Sequence, residues 1–497
     1  MIEDNGNMSD EIAEPRILQA VDALRAFDRR KAASLIGAEL AASPEPGERW
    51  RGIAELATSI GEIELSLEAS RLWAMTTPQT VERILEHCGI LSKYGRVQKA
   101  MRQIQNLPTT VQNYPAVLHY RGVVEMQMGN FDVAEELFRE TIAIAPTALL
   151  TWHALAMLKK FHPGDPDISR METMRGEIRE ASPEAAARFL YGLGKAYDDV
   201  GDYPMAYAAF EEGASMMRSF KLQEPSNFGN IAAQLVRDFV PQNMARLRPS
   251  ENRSEQVIFV TGLPRSGTTL VEQILIDRSE IDDGAEACLV QPALIPTQNY
   301  AFSGALAYQD RLAGISTDPW GDLANDYLGM IAQRFPGSGR VVDKSMDQSL
   351  YMGLLLHMLP GAKVLWLRRE PEDVAFSCFR SFFTAEMPWT WSPESIAKHF
   401  RTEDILYRHW SEQFPDRILT VPYEELARDP KSWTAKILAH VGLLEADRAP
   451  QPRKMPRAVM TASTVQVRSP ISTQGIGRVL AYPEFREKFR KVYFKTT

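Results

Sequence analysis

The sequence predicts an all-α helical array in the first half of the chain, followed by an α/β domain with a central parallel sheet. Three observations lead to this prediction. Up to about residue 220 the chain is rich in Ala, Leu and Glu and has a helical pattern. Within this region glycines and helix-packing residues recur at a fixed spacing. After about residue 250 short β-branched runs alternate with helical patterns, which is typical of a parallel sheet.

The composition is that of a globular protein with more than one domain. The chain has 497 residues, of which 44% are hydrophobic and 24% charged, and its formal net charge is −8. This length exceeds what one hydrophobic core usually holds. The acidic balance argues against a protein that binds nucleic acid through a basic face, although it is compatible with a local basic pocket.

The cysteines and the N-terminus predict a cytoplasmic location. Cys88, Cys288 and Cys378 lie far apart and form no CxxC pair, which argues against a disulfide framework or a zinc site and suits a reducing compartment. The first residues contain neither a basic nor an apolar segment, so we expect no signal peptide. No stretch approaches the roughly 18 uninterrupted apolar residues of a membrane span.

The helical half shows a repeat of 34 residues. Gly61, Gly95 and Gly129 lie 34 residues apart. The clearest copy of the full pattern is Leu190-x2-Leu193-Gly194-x2-Tyr197, followed by Gly201-Asp202-Tyr203, Ala206 and Phe210. This pattern resembles the tetratricopeptide repeat, in which small residues let the two helices of a hairpin approach closely. The resemblance predicts a solenoid of five or six units over residues 15–220, although Ala-rich amphipathic helices can also produce such a pattern by chance.

The second half is predicted to begin after a linker or connecting helix at residues 221–254, which is marked by prolines and polar residues. Residues 255–497 are predicted to form one domain. Its strands are expected at residues 257–260, 341–342, 364–367 and 418–421, because each of these runs is short and rich in Val, Ile or Leu.

A phosphate-binding loop follows the first predicted strand. Its sequence is Gly262-Leu263-Pro264-Arg265-Ser266-Gly267-Thr268-Thr269-Leu270, and a helical pattern comes next. Such a loop surrounds an anion with backbone N–H groups at the positive end of a helix. The spacing of the two glycines matches a Walker A loop, but Thr268 stands where a nucleoside triphosphate enzyme has lysine. This difference favours a ligand with less charge there, for which Arg265, Thr268 and Thr269 supply donors.

The loop resembles the 5′-phosphosulfate loop of sulfotransferases that use PAPS (3′-phosphoadenosine 5′-phosphosulfate). The pattern is similar to that of tyrosylprotein sulfotransferases and of bacterial sulfotransferases fused to tetratricopeptide repeats. The resemblance covers nearly all of residues 255–480, and that to the bacterial fusion class extends to the first half of the chain. It implies a P-loop-type sulfotransferase domain that needs no metal. PAPS would be held at the loop by Arg265, Ser266, Gly267, Thr268 and Thr269.

The resemblance also implies the groups that perform the transfer. Glu286 falls on the general base, although Ala285 replaces a preceding glutamate of the family. Lys344 and Ser463 fall on residues that stabilise the leaving phosphate oxygen and the bridging oxygen, with Arg265 stabilising the sulfate. Physically, a carboxylate beside an acceptor hydroxyl can take its proton as the new bond forms.

A second set of residues is implied for the 3′-phosphate. Arg369 and Ser377 have the family's spacing of eight residues, and a guanidinium with a hydroxyl suits a phosphate monoester. Tyr423 matches a residue that contacts the cofactor, and Arg478 falls on a lysine that contacts the 3′-phosphate. The family often has a further arginine where this chain has Ser381; Arg380 lies one residue early.

Several alternatives remain open at this point. Glu286 can be a surface residue of an acidic loop with Asp282 and Asp283, and Tyr423 can be a core aromatic. A histidine base, a P-loop kinase and an inactive repeat scaffold are rival interpretations. The acceptor is expected to be a protein or peptide held by the repeats, with a tyrosine as one candidate. A glycan or small molecule is the alternative, and the repeats can instead mediate assembly.

Overall fold

The computed structural model describes residues 15–42, 44–220, 227–277, 281–283, 286–298, 300–337, 339–346, 348–383, 387–443 and 475–495. Its centre is a sheet whose strands are β1 (Val257–Thr261), β2 (Ile281–Asp283), β3 (Arg340–Asp343), β4 (Lys363–Arg368) and β5 (Ile418–Pro422). Their order is β2-β3-β1-β4-β5, and every pairing is parallel. The predicted α/β domain with a parallel sheet is confirmed.

Both faces of the sheet are covered. Val257 and Phe259 of β1 belong to one buried cluster, whereas Ile258 and Val260 belong to another on the opposite face. This alternation follows from the two-residue period of a strand, and burial on both faces explains the continuous apolar runs.

Four of the strands coincide with the predicted runs, but β2 was not predicted. Its sequence is Ile281-Asp282-Asp283, so it is short and has two residues of low strand propensity. The interpretation of Asp282 and Asp283 as part of an acidic loop is therefore wrong. Pairing with β3 at the edge of the sheet places both residues in a strand.

The first half of the described chain is helical. Its α-helices are α1 (Arg16–Arg25), α2 (Arg29–Ala42), α3 (Arg49–Ser59), α4 (Ile63–Ala74), α5 (Val81–Lys93), α6 (Val97–Gln105), α7 (Thr109–Gln112), α8 (Pro115–Met128), α9 (Phe131–Ile144), α10 (Leu149–Leu158), α11 (Pro166–Met174), α12 (Pro183–Val200), α13 (Tyr203–Phe220), α14 (Phe228–Asp238) and α15 (Pro241–Met244). A 3₁₀ helix lies at Glu177–Glu180. The expectation of a helical N-terminal region is confirmed.

The same kind of packing contact, between a glycine and a phenylalanine ring, occurs in two helix pairs. A Cβ added to Gly122 of α8 would lie 2.5 Å from the Phe138 ring of α9, and one added to Gly194 of α12 would lie 2.6 Å from the Phe210 ring of α13. In each pair the glycine removes the side chain that would keep the aromatic ring away. The two pairs therefore use the small and large residues of the sequence pattern in the same way.

The remaining helices surround the sheet. They are α16 (Thr268–Ile276), α17 (Val290–Ala293), α18 (Phe302–Arg311), α19 (Pro319–Arg334), α20 (Gln348–Met358), α21 (Pro371–Phe379), α22 (Pro393–Gln413), α23 (Tyr423–Arg428), α24 (Pro430–His440) and α25 (Pro483–Tyr493). Further 3₁₀ helices lie at Ile295–Thr297, Pro388–Trp391 and Arg478–Ala481. None of the helices in the described part of the chain is long and apolar enough to cross a membrane.

The helical region and the sheet domain share hydrophobic cores. Ile63 and Leu67 of α4 are buried in the same cluster as Trp320 and Met330 of α19. Farther along the chain, Phe210 and its neighbours join the cluster that contains α21 and α25. The helical region is thus packed against the sheet domain at both ends of the array.

Candidate functional site

The predicted site residues lie where the parallel strands end. Arg265 is in the loop after β1, Glu286 follows β2, Lys344 follows β3, Arg369 follows β4 and Tyr423 follows β5. Since parallel strands end at one edge of a sheet, the chain brings these five residues to the same side of the domain. Ligands of open α/β sheets bind at this edge.

The loop after β1 depends on three residues with positive φ. Gly262 has φ 143° and Gly267 φ 106°, while Arg265 between them has φ 69°. A Cβ on Gly267 would lie 2.5 Å from the ring of Tyr423. The loop is thus pressed against that ring, and α16 begins directly after it at Thr268. This arrangement places Thr268 and Thr269 in the first turn of a helix, where N–H groups lack intrahelical partners.

Arg265 joins the loop to α21. Its Nε donates a hydrogen bond of 3.1 Å to Ser377 Oγ. Burial lowers the pKa of the Arg265 guanidinium to about 10, and the positive charges of Arg380 and Arg369 act in the same direction. The loop predicted for the 5′ side and the serine predicted for the 3′ side are therefore in direct contact.

Lys344 and Glu286 form an ion pair. Lys344 Nζ donates to Glu286 Oε1 at 3.1 Å, and the lysine side chain is 4% exposed while that of the glutamate is 35% exposed. Burial opposes the charged form of Lys344, but Glu272 and Glu286 outweigh it and raise the pKa of the ammonium group above its usual value. Lys344 is therefore a buried cation whose partner carboxylate reaches the surface.

A buried network fixes the turn that carries Lys344. Asp343 Oδ2 accepts a bond of 2.6 Å from the Tyr327 hydroxyl, and Asp343 Oδ1 accepts from Ser345 N and Oγ at 2.8 and 2.5 Å. Ser345 Oγ in turn accepts from the backbone N–H of Cys288 at 2.8 Å. This chain of bonds connects the end of β3 to the segment after β2, so it holds Lys344 and Glu286 in register.

Arg369 lies between the loop and the C-terminal segment. Its two Nη groups donate to the carbonyl oxygens of Arg265 and Gly475, at 3.2 and 2.6 Å. Its guanidinium also lies over the Tyr423 ring, 4.4 Å from the ring centroid. The interpretation of Tyr423 as a core aromatic is not supported by these contacts, because the ring packs on Arg369 and on Gly267.

Arg380 and Arg478 meet at a carboxylate from the helical region. Arg380 Nη1 donates to Asp198 Oδ2 at 2.8 Å, and Arg478 Nη2 donates to the same oxygen. The hydroxyl of Tyr482 donates to Asp198 Oδ1 at 2.5 Å. The hydroxyl of Ser381 donates a hydrogen bond of 2.8 Å to the carbonyl oxygen of Ser377, four residues earlier, as a helical serine commonly does.

The structure unites nearly all the predicted residues along one edge. Ser463 lies outside the described residues. The sequence reasoning missed three buried acids, Asp198, Glu272 and Asp343. A signal existed for Glu272, a charged residue inside the apolar pattern of α16. Asp198 gave no signal, because its partners are at least 182 residues away along the chain.

The residues at this edge fit an anionic nucleotide. Four arginines and a lysine converge there, which is a local basic pocket on an acidic protein. Among the buried polar atoms that lack a hydrogen-bond partner in the described part of the chain are Ser266 Oγ, Arg369 Nε and Arg478 Nε. Within the same ranges no three His, Cys, Asp or Glu side chains lie together as a metal site requires. The donor set thus suits phosphate and sulfate oxygens.

Comparison with known proteins identifies relatives of this segment. Residues 257–447 match the Sulfotransferase family. An uncharacterized protein of Aquifex aeolicus (strain VF5) is 26% identical over 397 residues, which are 78% of this chain and 52% of that protein. The protein-tyrosine sulfotransferase of Drosophila melanogaster is 23% identical over 239 residues, which are 46% of this chain and 48% of that protein. The chain spans about half the length of these two relatives.

A solved structure is also similar. The sulfotransferase domain of the Synechococcus PCC 7002 olefin synthase is 19% identical and has a TM-score of 0.30. The match covers 49% of this chain and 98% of that domain.

Proposed function

We propose that this protein transfers the sulfuryl group of PAPS to a hydroxyl acceptor, because residues 257–447 match the Sulfotransferase family. The observation that carries the proposal is the basic edge of the sheet, where a phosphate-type loop without the Walker lysine lies beside Arg369 and Ser377. A nucleoside triphosphate has no 3′-phosphate that Arg369 and Ser377 could bind, which argues against the alternative that the domain is a P-loop kinase.

The chain's own residues have distinct tasks in this transfer. PAPS supplies an activated sulfuryl group, whose sulfur forms a bond to the acceptor oxygen while its bond to the phosphate oxygen breaks. Glu286 takes the proton of the acceptor hydroxyl. Lys344 and Arg265 stabilise the negative charge that grows on the departing phosphate and on the sulfate, and Ser463 is assigned to the bridging oxygen.

The ion pair of Glu286 with Lys344 fits this division. Lys344 is buried and held by the Asp343 network, so its charge is oriented before the reaction. Glu286 is partly exposed and can reach an acceptor that enters from solvent. A proton taken by Glu286 weakens its hold on Lys344, which leaves the ammonium group free to bind the leaving phosphate oxygen.

The first test compares nucleotides. We expect 3′,5′-bisphosphoadenosine to bind about 100-fold more tightly than AMP or ATP, because only it carries the phosphate that Arg369 and Ser377 are proposed to bind; a charge-assisted set of this kind contributes about 3 kcal/mol. Calorimetry on the full chain measures the ratio. Equal affinity for AMP would contradict the assignment of the 3′ site.

The second test separates binding from chemistry. Glu286→Gln keeps the shape of the side chain and removes the base, so turnover of PAPS should fall by at least about 100-fold while bisphosphoadenosine affinity is kept. The surface variant Glu412→Gln is the control. Turnover should also survive EDTA. Wild-type protein that binds the nucleotide but turns over no PAPS with any hydroxyl acceptor would favour the inactive scaffold.

We further propose that the helical region is a tetratricopeptide-repeat array that holds a protein acceptor and presents a hydroxyl, with tyrosine as the first candidate. The repeated glycine–phenylalanine contacts of α8–α9 and α12–α13 support the repeat assignment. Labelled PAPS added to a whole lysate, followed by identification of the product, tests the acceptor. Label on a glycan or small molecule would overturn the protein acceptor, and the repeats would then serve assembly.

A further inference from the structure

The carboxylate of Asp198 reaches the nucleotide edge from the helical region. Asp198 lies in the last turn of α12, and its side chain is 0% exposed. It accepts hydrogen bonds from Arg380, Arg478 and Tyr482, all of which belong to the second half of the chain. A buried carboxylate is stable only when paired in this way, so these contacts at least join the two halves.

The position of Arg380 indicates that these contacts do more than connect the two halves of the chain. Arg380 follows Ser377 by three residues at the end of α21, and residues at this spacing share a helix face. Arg380 is also close enough to Arg265 to lower the pKa of that guanidinium. It therefore lies beside the loop and the serine that are assigned to the nucleotide.

Arg478 adds an unused donor at the same place. Its Nη2 is bound to Asp198, but its Nε is buried and has no hydrogen-bond partner among the described residues. A guanidinium has five N–H donors, so a bond to one carboxylate leaves others for a ligand. The backbone on both sides of Arg478 is fixed as well, because Gly477 N and Val479 N donate to the carboxylate of Asp373 on α21, at 2.6 and 3.2 Å.

Electrostatics explains why a carboxylate is needed between the two guanidiniums. Burial lowers the pKa of Arg380 and the nearby charge of Arg478 lowers it further, whereas Asp198 acts in the opposite direction. Without Asp198, two partly buried like charges would repel each other and separate. With it, both are held next to each other before an anion arrives.

We propose that Asp198 is a positioning residue for the 3′-phosphate, which holds Arg380 and Arg478 side by side so that both guanidiniums bind this phosphate together with Arg369 and Ser377. The inference rests on the proposed nucleotide. It makes the helical region part of the nucleotide site, since α12 supplies the group that organises half of its arginines.

The test uses the full chain with Asp198→Asn, and Asp199→Asn as the matched control. Asp199 is the next residue on α12 and pairs with Lys195 and Lys160 instead. Calorimetry gives the affinities for 3′,5′-bisphosphoadenosine and for AMP. We expect Asp198→Asn to lower the ratio of the two affinities on the order of tenfold, with AMP affinity unchanged, and Asp199→Asn to keep the ratio.

A double variant distinguishes positioning from general damage. Arg478→Gln should lower the ratio in the wild-type background and have no further effect in Asp198→Asn, because the arginine is already misplaced there. Additive effects would contradict positioning. If Asp198→Asn does not fold, Tyr482→Phe removes one bond to the same carboxylate, and we expect it to lower the ratio about threefold.

The remaining outcomes are also decisive. An unchanged ratio in folded Asp198→Asn would overturn the inference, and so would a higher ratio, which would mean that Asp198 competes with the phosphate. A wild-type protein that binds both nucleotides equally would instead refute the proposed function. The two failures are therefore distinguishable.

Discussion

The two ends of the candidate nucleotide site are built in different ways. The 5′ end is one continuous segment, in which β1, the glycine loop and α16 follow each other without interruption. The 3′ end combines α21, the segment at residues 475–482 and α12 of the helical region. The first relies on backbone conformation, whereas the second relies on side chains that are distant in sequence.

This difference has a physical origin. A backbone cradle needs residues that tolerate positive φ and close approach, and glycine meets both needs locally. A side-chain cradle for a phosphate needs several cations, which repel each other and require a counter-charge. Asp198 supplies that charge from the helical region, so the 3′ end depends on how the two halves of the chain pack.

The largest effect is expected at the 5′ end. Gly267→Ala would place a Cβ 2.5 Å from the Tyr423 ring at φ 106°. We expect loss of at least about 100-fold in affinity for both bisphosphoadenosine and AMP, since the loop cannot keep its shape. Gly442→Ala is the control, because Gly442 also has positive φ but no atom within 4 Å of the added Cβ. If calorimetry shows a similar loss of nucleotide affinity in both variants, the 5′ end does not depend on the backbone conformation of this loop.

The second prediction concerns Lys344, which is paired with Glu286 and lies near enough to the buried Glu272 for that carboxylate to raise its pKa. Lys344→Met removes the cation and should destabilise the fold by about 3 kcal/mol at neutral pH, as breaking a buried ion pair does. Because the pKa of Lys344 is raised in the folded state, its contribution is fully present below the usual lysine value of 10.5 and is lost only above it. The deficit, which is the difference in unfolding free energy between wild type and Lys344→Met, should therefore be constant from about pH 7 to 9.

The deficit should shrink only at more alkaline pH, where the wild-type protein loses the charge of Lys344 as the pH rises through its raised pKa. Urea unfolding midpoints of wild type and Lys344→Met at several pH values measure it. The exposed Lys398→Met is the control and should show no deficit. A deficit that disappears between pH 7 and 9 would contradict the raised pKa of Lys344.

The third prediction separates helix packing from nucleotide selectivity. Gly194→Ala and Gly122→Ala create nearly the same clash with a phenylalanine ring, and each should destabilise the fold by about 2 kcal/mol. Only Gly194 is on α12, four residues before Asp198, so only Gly194→Ala should lower the ratio of bisphosphoadenosine to AMP affinity. Thermal unfolding and calorimetry measure the two effects. An equal loss of the ratio in both variants would show that the helical region acts through stability alone.

The smallest effect is expected at Asp373, whose two oxygens accept hydrogen bonds from the backbone on either side of Arg478. In Asp373→Asn, an amide NH₂ group would replace one of the two oxygens that accept from these backbone N–H groups, so one hydrogen bond would be lost. We expect the fold to be destabilised by about 1 kcal/mol. Affinity for bisphosphoadenosine should fall a few-fold, while affinity for AMP should stay the same. The exposed Asp416→Asn is the comparison variant. If AMP affinity falls equally, residues 475–482 do not act on the 3′ end.

Particular residues show how far sequence reasoning extends. The helix that begins at Pro371, with Arg369 before it and Ser377 on it, was predicted and is present, because proline favours the first helical turn. The strand β2 was missed, because three residues with two aspartates have no strand pattern and pair with β3 only in the folded sheet. The tetratricopeptide assignment and the roles of the site residues stay predictions.

The sequence by itself determined the order of the two architectures, the strand–loop–helix unit and the spacing of Arg369 and Ser377, since each depends on residues close together in the chain. The tertiary structure alone decided that Arg265 contacts Ser377, that Lys344 pairs with Glu286 and that Asp198 joins Arg380 to Arg478. Such pairs depend on which elements pack together. The chain carries no local pattern for them, because a buried charge is matched by whichever opposite charge the fold brings to it.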